Sequence, residues 1–292
     1  MSENEVAGRT FDWISSVEAD QRILSDLNER MARFYGEQAM RARYQEMLDA
    51  QEEASPEAGT PAAVLLKILC APPPRRVLEV GCSSARLYRQ LCKAGFTGEY
   101  TGVEVAEHII GQNRKRHSGA SWHCADAYGI PAEDDSFDSV FSFYVLEHLV
   151  WPARGLTEMM RVVRPGGQLL LVFPDFVQVG RFSSQLTGLS LGEFRVKLRR
   201  FRLLDAFVTA YDNRIRLPNA LRKASGTLGS FPVNLRPLCL DHPDVMYPDV
   251  DAVYIASKRE VFKWAQDRGY RPEFPVGVKA PFDRHSFIRI VK

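Results

Sequence analysis

The sequence predicts an α/β protein built on a doubly wound, mostly parallel sheet of seven strands, with helices ahead of it and a long insertion within it. Three observations lead there. From Arg76 onward, short apolar runs rich in Val, Leu and Phe follow one another with helical stretches between them: "RVLEV", "YTGVEV", "ASWHCAD", "FDSVFSF" and "GGQLLLVF". Such runs mark parallel strands covered on both faces. After Pro174 the pattern lapses for roughly eighty residues into mixed helical stretches and proline-rich loops such as "FPVNLRPLCLDHPDVMYPDVD". It then resumes with "RPEFPVGVKA" and "HSFIRIVK" as closing strands.

The other elements follow in order. Between Phe11 and about Ala50, Ile23, Leu24, Leu27, Met31, Phe34 and Tyr35 recur at helical spacing among charges. This predicts amphipathic helices whose apolar face must cover something. "QEEASPEAGTP", with Pro56, Gly59 and Pro61, reads as a linker, and "PAAVLLKILC" as a helix packed on the next domain. "SKREVFKWAQDRGY" is a helix ended by Gly269. The division is therefore a helical segment 1–58, a core of 59–174 with 257–292, and an insertion 175–256 after the fifth strand.

Of the 292 residues, 45% are hydrophobic and 25% charged, which fits a globular chain and excludes fibrous or disordered classes. The opening "MSENEVAGRT" is polar, and no run approaches the roughly 18 apolar residues that span a bilayer. A cytoplasmic protein without a membrane span is the expectation. Cys70, Cys82, Cys92, Cys124 and Cys239 form no CxxC pair and no zinc-ligand spacing, so reduced thiols are expected. Charge is uneven: residues 1–58 hold 13 acidic and 6 basic side chains, and 175–236 hold 4 and 11. Either these segments face each other or the basic one meets an anionic partner.

Ligands of open α/β sheets bind at the carboxyl ends of the strands. After the first strand comes Glu79-Val-Gly81-Cys-Ser83-Ser-Ala85, a tight turn at a helix N-terminus, where backbone N–H groups favour an anionic group. Glu104, at the end of the second, can accept both hydroxyls of a ribose, a feature that also suits a dinucleotide. Asp126 in "CADAYGIP" ends the third and could accept from an adenine amino group.

Together with "PAEDDSFDSVFSFYVLEHL" and "EMMRVVRPGGQLLLVFP", this order of features resembles the class I S-adenosylmethionine-dependent methyltransferases, with a methyltransferase-11-like domain and a Rossmann-like sheet. The resemblance implies S-adenosyl-L-methionine as cofactor. It places Glu79 and the Gly81 turn at the methionine part, Glu104 at the ribose, Asp126 and Ala127 at the adenine, and Phe143 on the cofactor from the fourth strand, and it counts Ser83, Ala85 and Val105 among the cofactor-binding residues. The family's turn is Glu/Asp-x-Gly-x-Gly-x-Gly, and this chain has Ser83 and Ala85 where the later glycines stand. A non-glycine residue fits there at little cost only if its φ is negative.

The activated sulfonium needs alignment more than a catalytic group, although a hydroxyl acceptor benefits from a base. His148 is the candidate base, Tyr144 a candidate acceptor contact, and Asp175 a candidate at the border of the acceptor after the fifth strand. Some relatives hold a metal with Glu-x-x-Glu-His; here the stretch is Tyr144-x-x-Glu147-His148, so no metal is expected. The segment "FRVKLRRFRL" reads as an amphipathic helix with a solvated face, or as the binder of an anionic acceptor such as a nucleotide-linked sugar or phosphorylated lipid carrier. RNA fits less well, because the pI is only about 8.2 and no RNA-binding module is legible. The sequence thus implies methyl transfer to an O or N atom of a small molecule or glycan precursor, with the insertion closing over the acceptor. The alternative is a non-catalytic partner subunit with a weakened cofactor site, and a nicotinamide oxidoreductase lacks its GxGxxG turn. The N-terminal helices could pair across a homodimer as readily as cover the chain's own pocket.

Overall fold

In the computed structural model, which describes residues 10–39, 56–57, 59–70, 74–245, 247–276 and 284–292, the chain enters as a short strand, β1 (Trp13–Ser15), and a long helix, α1 (Gln21–Ala39). Helix α2 (Pro61–Cys70) leads into β2 (Arg76–Val80), α3 (Arg86–Lys93), β3 (Glu99–Glu104), α4 (Glu107–Arg116) and β4 (Ser121–Cys124). Strand β5 (Phe137–Phe143) continues into a 3₁₀ turn (Leu146–His148), α5 (Pro152–Val162) and β6 (Val163–Pro174). Within 175–256 lie α6 (Phe176–Val179), α7 (Phe194–Arg199), α8 (Leu203–Tyr211), a π-helical turn (Asp212–Arg216), α9 (Leu217–Ala224), β7 (Pro232–Asn234) and α10 (Leu238–Asp241). Helix α11 (Lys258–Asp267), β8 (Arg271–Glu273) and β9 (His285–Val291) complete the fold.

The central sheet has seven strands in the order β4-β3-β2-β5-β6-β9-β8. Strand β9 runs antiparallel to both of its neighbours and the other pairs are parallel, so the doubly wound, mostly parallel sheet of the sequence reading is the observed one. The core of β6, Leu169 to Phe173, is buried throughout, as a central strand covered by helices on both faces must be. The order reverses between β2 and β5, which opens a crevice at their carboxyl ends.

Helix α1 lies across that end of the sheet with Leu24, Leu27, Met31 and Phe34 buried. Each such burial stabilises by about 1.5–3 kcal/mol, more than the helix's intrinsic propensity supplies. The helix begins ten residues later than Phe11, because Trp13–Ser15 pairs antiparallel with Pro232–Asn234. Asp20 sets the start, its Oδ1 accepting from the Arg22 N–H at 2.9 Å. Residues 40–55, the rest of the expected helical stretch and the start of the linker, lie outside the described residues. Of the expected strand over 271–280, Arg271–Glu273 is paired and 277–280 lie outside the described residues.

The 175–256 segment leaves and rejoins the core at one point: the Phe176 N–H donates to the Ala256 oxygen at 3.1 Å. Its last stretch, Ala252 to Ala256, is wholly buried. No helix among the described residues is long and apolar enough to cross a membrane.

Candidate functional site

A cavity of about 270 Å³ opens at the carboxyl ends of β2 to β5. Its walls are strand-end residues and one face of α1, where Asn28, Met31, Ala32 and Tyr35 follow helical spacing. Among the described residues the lining includes Glu104 and Asp126 and no lysine or arginine. Among the described residues the 175–256 segment contributes no lining residue; the roof is α1.

The loop after β2 is shaped by three left-handed residues: Gly81 at φ +80°, Ser83 at +43° and Ala85 at +62°. Gly81 is required twice over, since a Cβ there would lie 2.2 Å from Val145 Cγ2. Ser83 and Ala85 therefore adopt the glycine conformation without being glycine. The Ser83 N–H donates to Glu104 Oε2 at 3.2 Å, and its carbonyl accepts from Asn113 Nδ2 at 2.7 Å. Ala85 is the N-cap of α3 and fully buried.

Glu104 and Val105 line the cavity at the end of β3, and Asp126 and Ala127 line it after β4. Besides Ser83, the Val105 and Ala106 N–H groups donate to Glu104 Oε1 at 2.9 and 3.3 Å. Burial raises this carboxyl above the ordinary carboxylate range, opposed by the Ala106, Ser83 and Val105 N–H groups. Asp126 Oδ1 accepts from the Tyr128 N–H at 2.8 Å, which holds the turn. Phe143 lines the cavity with Arg86 5.9 Å above its ring. Gly81 and Ser83 line it too, whereas Glu79 and Ala85 do not. Glu79 is buried with the Tyr100 hydroxyl donating to it, and burial pushes its carboxyl up to about 8 against that hydrogen bond and Arg86.

His148 and Tyr144 line the same cavity beyond β5. His148 Nδ1 lies 3.4 Å from the Asp251 carbonyl oxygen and 3.6 Å from Asp251 Oδ2, and its Nε2 is 4.0 Å from Glu147 Oε1. Burial alone would lower this imidazole, but Asp251 and Glu147 outweigh it and hold it above its ordinary value. The Tyr35 ring stands edge-on to His148 at 6.0 Å. Tyr144, itself at φ +57°, places its hydroxyl 3.1 Å from His285 Nδ1. Asp175 is not in the cavity: it caps α6, accepting from the Gln178 N–H at 3.1 Å, with Lys258 Nζ at 3.6 Å.

Three residues near this site were not singled out from the sequence. Glu147 is wholly buried with neither carboxylate oxygen hydrogen-bonded, and burial pushes it up to about 8. Its place beside His148 in "VLEHL" was the available signal. Asp251 stands 103 positions beyond His148, a contact no local pattern announces. Tyr35 belongs to the helical stripe already visible, and only the docking of α1 shows that it faces a site.

A sulfonium cofactor with a ribose and an amino-acid tail fits this lining. Carboxylates stand at two strand ends, and among the described residues no lysine or arginine lines the cavity to meet the phosphates of a dinucleotide.

A family profile described as a methyltransferase domain matches residues 78–171. Among curated proteins, the chain is 32% identical over 118 residues to an uncharacterized 37.1 kDa protein of transposon TN4556 from Streptomyces fradiae, covering 39% of this chain and 34% of that protein. It is 35% identical over 98 residues to a phthiotriol/phenolphthiotriol dimycocerosates methyltransferase 1 of Mycobacterium ulcerans, covering 33% of this chain and 36% of that one. The chain thus spans about a third of the length of these relatives. A solved S-adenosylmethionine dependent methyltransferase from Mesorhizobium loti aligns at 12% identity and a TM-score of 0.46, over 80% of this chain and 99% of that one.

Proposed function

We propose that this chain, whose residues 78–171 match a methyltransferase-domain profile, transfers the methyl group of S-adenosyl-L-methionine to an oxygen or nitrogen of a small-molecule acceptor, with His148 taking the proton. When bound, the sulfonium would supply an activated methyl carbon, the acceptor lone pair replacing the carbon–sulfur bond with S-adenosylhomocysteine as the leaving group. The observation that carries this reading is His148 at the cavity wall, with its Nδ1 turned to Asp251. If the Nδ1 proton is donated to the Asp251 carbonyl, Nε2 is the basic atom. Glu104, Val105, Asp126, Ala127 and Phe143 hold the nucleoside in this reading, and Gly81 and Ser83 the amino-acid tail.

Acidic groups surround His148, namely Asp251, Glu147 and Asp249. An acceptor that is neutral or cationic at its reacting end suits them better than the anionic one that the basic segment suggested. A second reading, a non-catalytic partner subunit, rests on Ser83 and Ala85 at positive φ, where strain could cost the loop its shape.

The test has two stages. Calorimetric titration with S-adenosylhomocysteine, with NADH as control, should show binding of the former alone; its absence in a folded sample favours the partner-subunit reading. Labelled methyl transfer is then followed across hydroxyl and amine acceptors. His148→Gln should lower turnover by about 10²–10⁴-fold while leaving S-adenosylhomocysteine affinity unchanged. Turnover within a factor of about three of the parent would remove the base from the mechanism.

A further inference from the structure

We infer that the helical hairpin of α7 and α8 docks this protein on the surface of an anionic lipid bilayer, independently of the methyl-transfer reading. Around its turn the hairpin exposes four large apolar side chains: Phe201 at 87%, Phe207 at 71%, Leu204 at 67% and Leu203 at 63%. One exposed leucine is ordinary, but four within seven residues make a contiguous patch of the kind that meets a partner.

These side chains cannot turn inward, because the inner side of the hairpin is filled. Asp205, Ala206 and Thr209 of α8 are buried there, around the buried Lys197 of α7. Lys197 Nζ donates to the Ser190 oxygen at 2.6 Å, Thr209 Oγ1 at 2.8 Å and Asp205 Oδ1 at 3.1 Å. The lock consumes the one carboxylate between 194 and 211. Every charge shown outward over that stretch is therefore positive: Arg195, Arg199, Arg200 and Arg202 are all exposed.

An apolar tip ringed by guanidinium groups matches an anionic interface. Phosphates take the guanidinium groups at headgroup level, and the aromatic and aliphatic side chains enter the acyl boundary. A second copy docking through this same face fits worse, since it would bring like charges against like.

The experiment is flotation of the full chain with vesicles of phosphatidylcholine alone or with about one third phosphatidylglycerol, at low and high salt. Binding is expected only to the anionic vesicles, weakening as salt rises. The Phe201→Ser/Leu204→Ser/Phe207→Ser variant and the Arg199→Gln/Arg200→Gln variant should each bind at least about tenfold less, with unchanged thermal midpoints because the substituted side chains are exposed. The inference is overturned by no binding to either vesicle, by equal binding to both, or by binding that survives the triple substitution. It is equally overturned by a dimer that the triple substitution dissociates in a chain that ignores vesicles.

Discussion

Gly81 is where the site depends most sharply on backbone geometry, and Gly81→Ala gives a magnitude that the structure fixes from two sides. A left-handed L-residue costs about 1–2 kcal/mol, and φ here is +80°. The added Cβ would meet Val145 Cγ2 at 2.2 Å and Val145 Cβ and Cγ1 at 3.2 Å, an overpacking of about 1–3 kcal/mol. Against this, alanine restricts the unfolded chain and returns about 0.4–1 kcal/mol. The net expectation is destabilisation by about 1–4.6 kcal/mol.

The two costs can be separated by a second substitution. Val145→Ala deletes both Cγ atoms, so it removes the closest overlap but not the φ strain. Urea denaturation of the parent, both single variants and the double variant should give a coupling of about 1–2 kcal/mol in favour of the double. Strictly additive behaviour would show that Val145 does not abut the turn. A Gly81→Ala protein within about 0.5 kcal/mol of the parent would refute the left-handed conformation itself.

Ala85→Gly should be close to neutral, within about 1 kcal/mol by urea denaturation: relief of left-handed strain is offset by one lost buried methyl and a looser unfolded chain. A loss above about 2 kcal/mol would mean that Ala85 is unstrained. Glu104→Gln should weaken S-adenosylhomocysteine binding by about 1.5–3 kcal/mol in calorimetry, and unchanged affinity would move the ribose elsewhere. Burial raises Glu147 from 4.5 to about 8, so the native state keeps a proton that the unfolded chain releases. Its stability contribution is complete below about 4.5 and is lost as pH rises to about 8. The stability of the parent relative to Glu147→Gln should therefore fall across that window by up to about 1.4 kcal/mol per pH unit, and a flat difference from denaturation at several pH values would contradict it.

The central sheet was legible because β2, β5 and β6 are largely buried and carry Val, Leu or Phe at most of their buried positions. Helix α1 was legible from its 3.6-residue stripe, but the stripe does not say what it covers. Its docking over the sheet crevice makes it the cavity's roof, the place expected for the insertion. Strand β1 was hidden because three residues carry almost no pattern, and its partner lies more than two hundred positions away. Asp175 shows the limit of position as a guide: it follows a strand, where ligands gather, yet the start of α6 and Lys258 use its carboxylate.

The sequence also left open whether a turn without its later glycines could keep its shape, since residue identity does not reveal the sign of φ. The geometry shows how the strain is met locally. Ser83 at φ +43° aims its N–H at Glu104 and its carbonyl at Asn113. A hydrogen bond to a charged group contributes about 1.5–3 kcal/mol, enough to offset about 1–2 kcal/mol of left-handed strain. Ala85 closes the turn through its N–H to the Cys82 oxygen at 2.9 Å, and its own carbonyl receives the Arg89 N–H at 3.1 Å as α3 begins. Its methyl is buried in the apolar cluster that also holds Leu87 and Leu91, which recovers about 0.8 kcal/mol that glycine would forgo. The contacts that tolerate Ser83 are the ones that orient Glu104, so loop shape and ribose recognition rise or fall together in the proposed site. A Ser83→Gly chain, freer to move that N–H away from Glu104, should therefore bind S-adenosylhomocysteine no tighter than the parent, although it restores the residue type of the family. Tighter binding would mean that the strain at Ser83 is not met by these contacts and that the turn is held off its best shape.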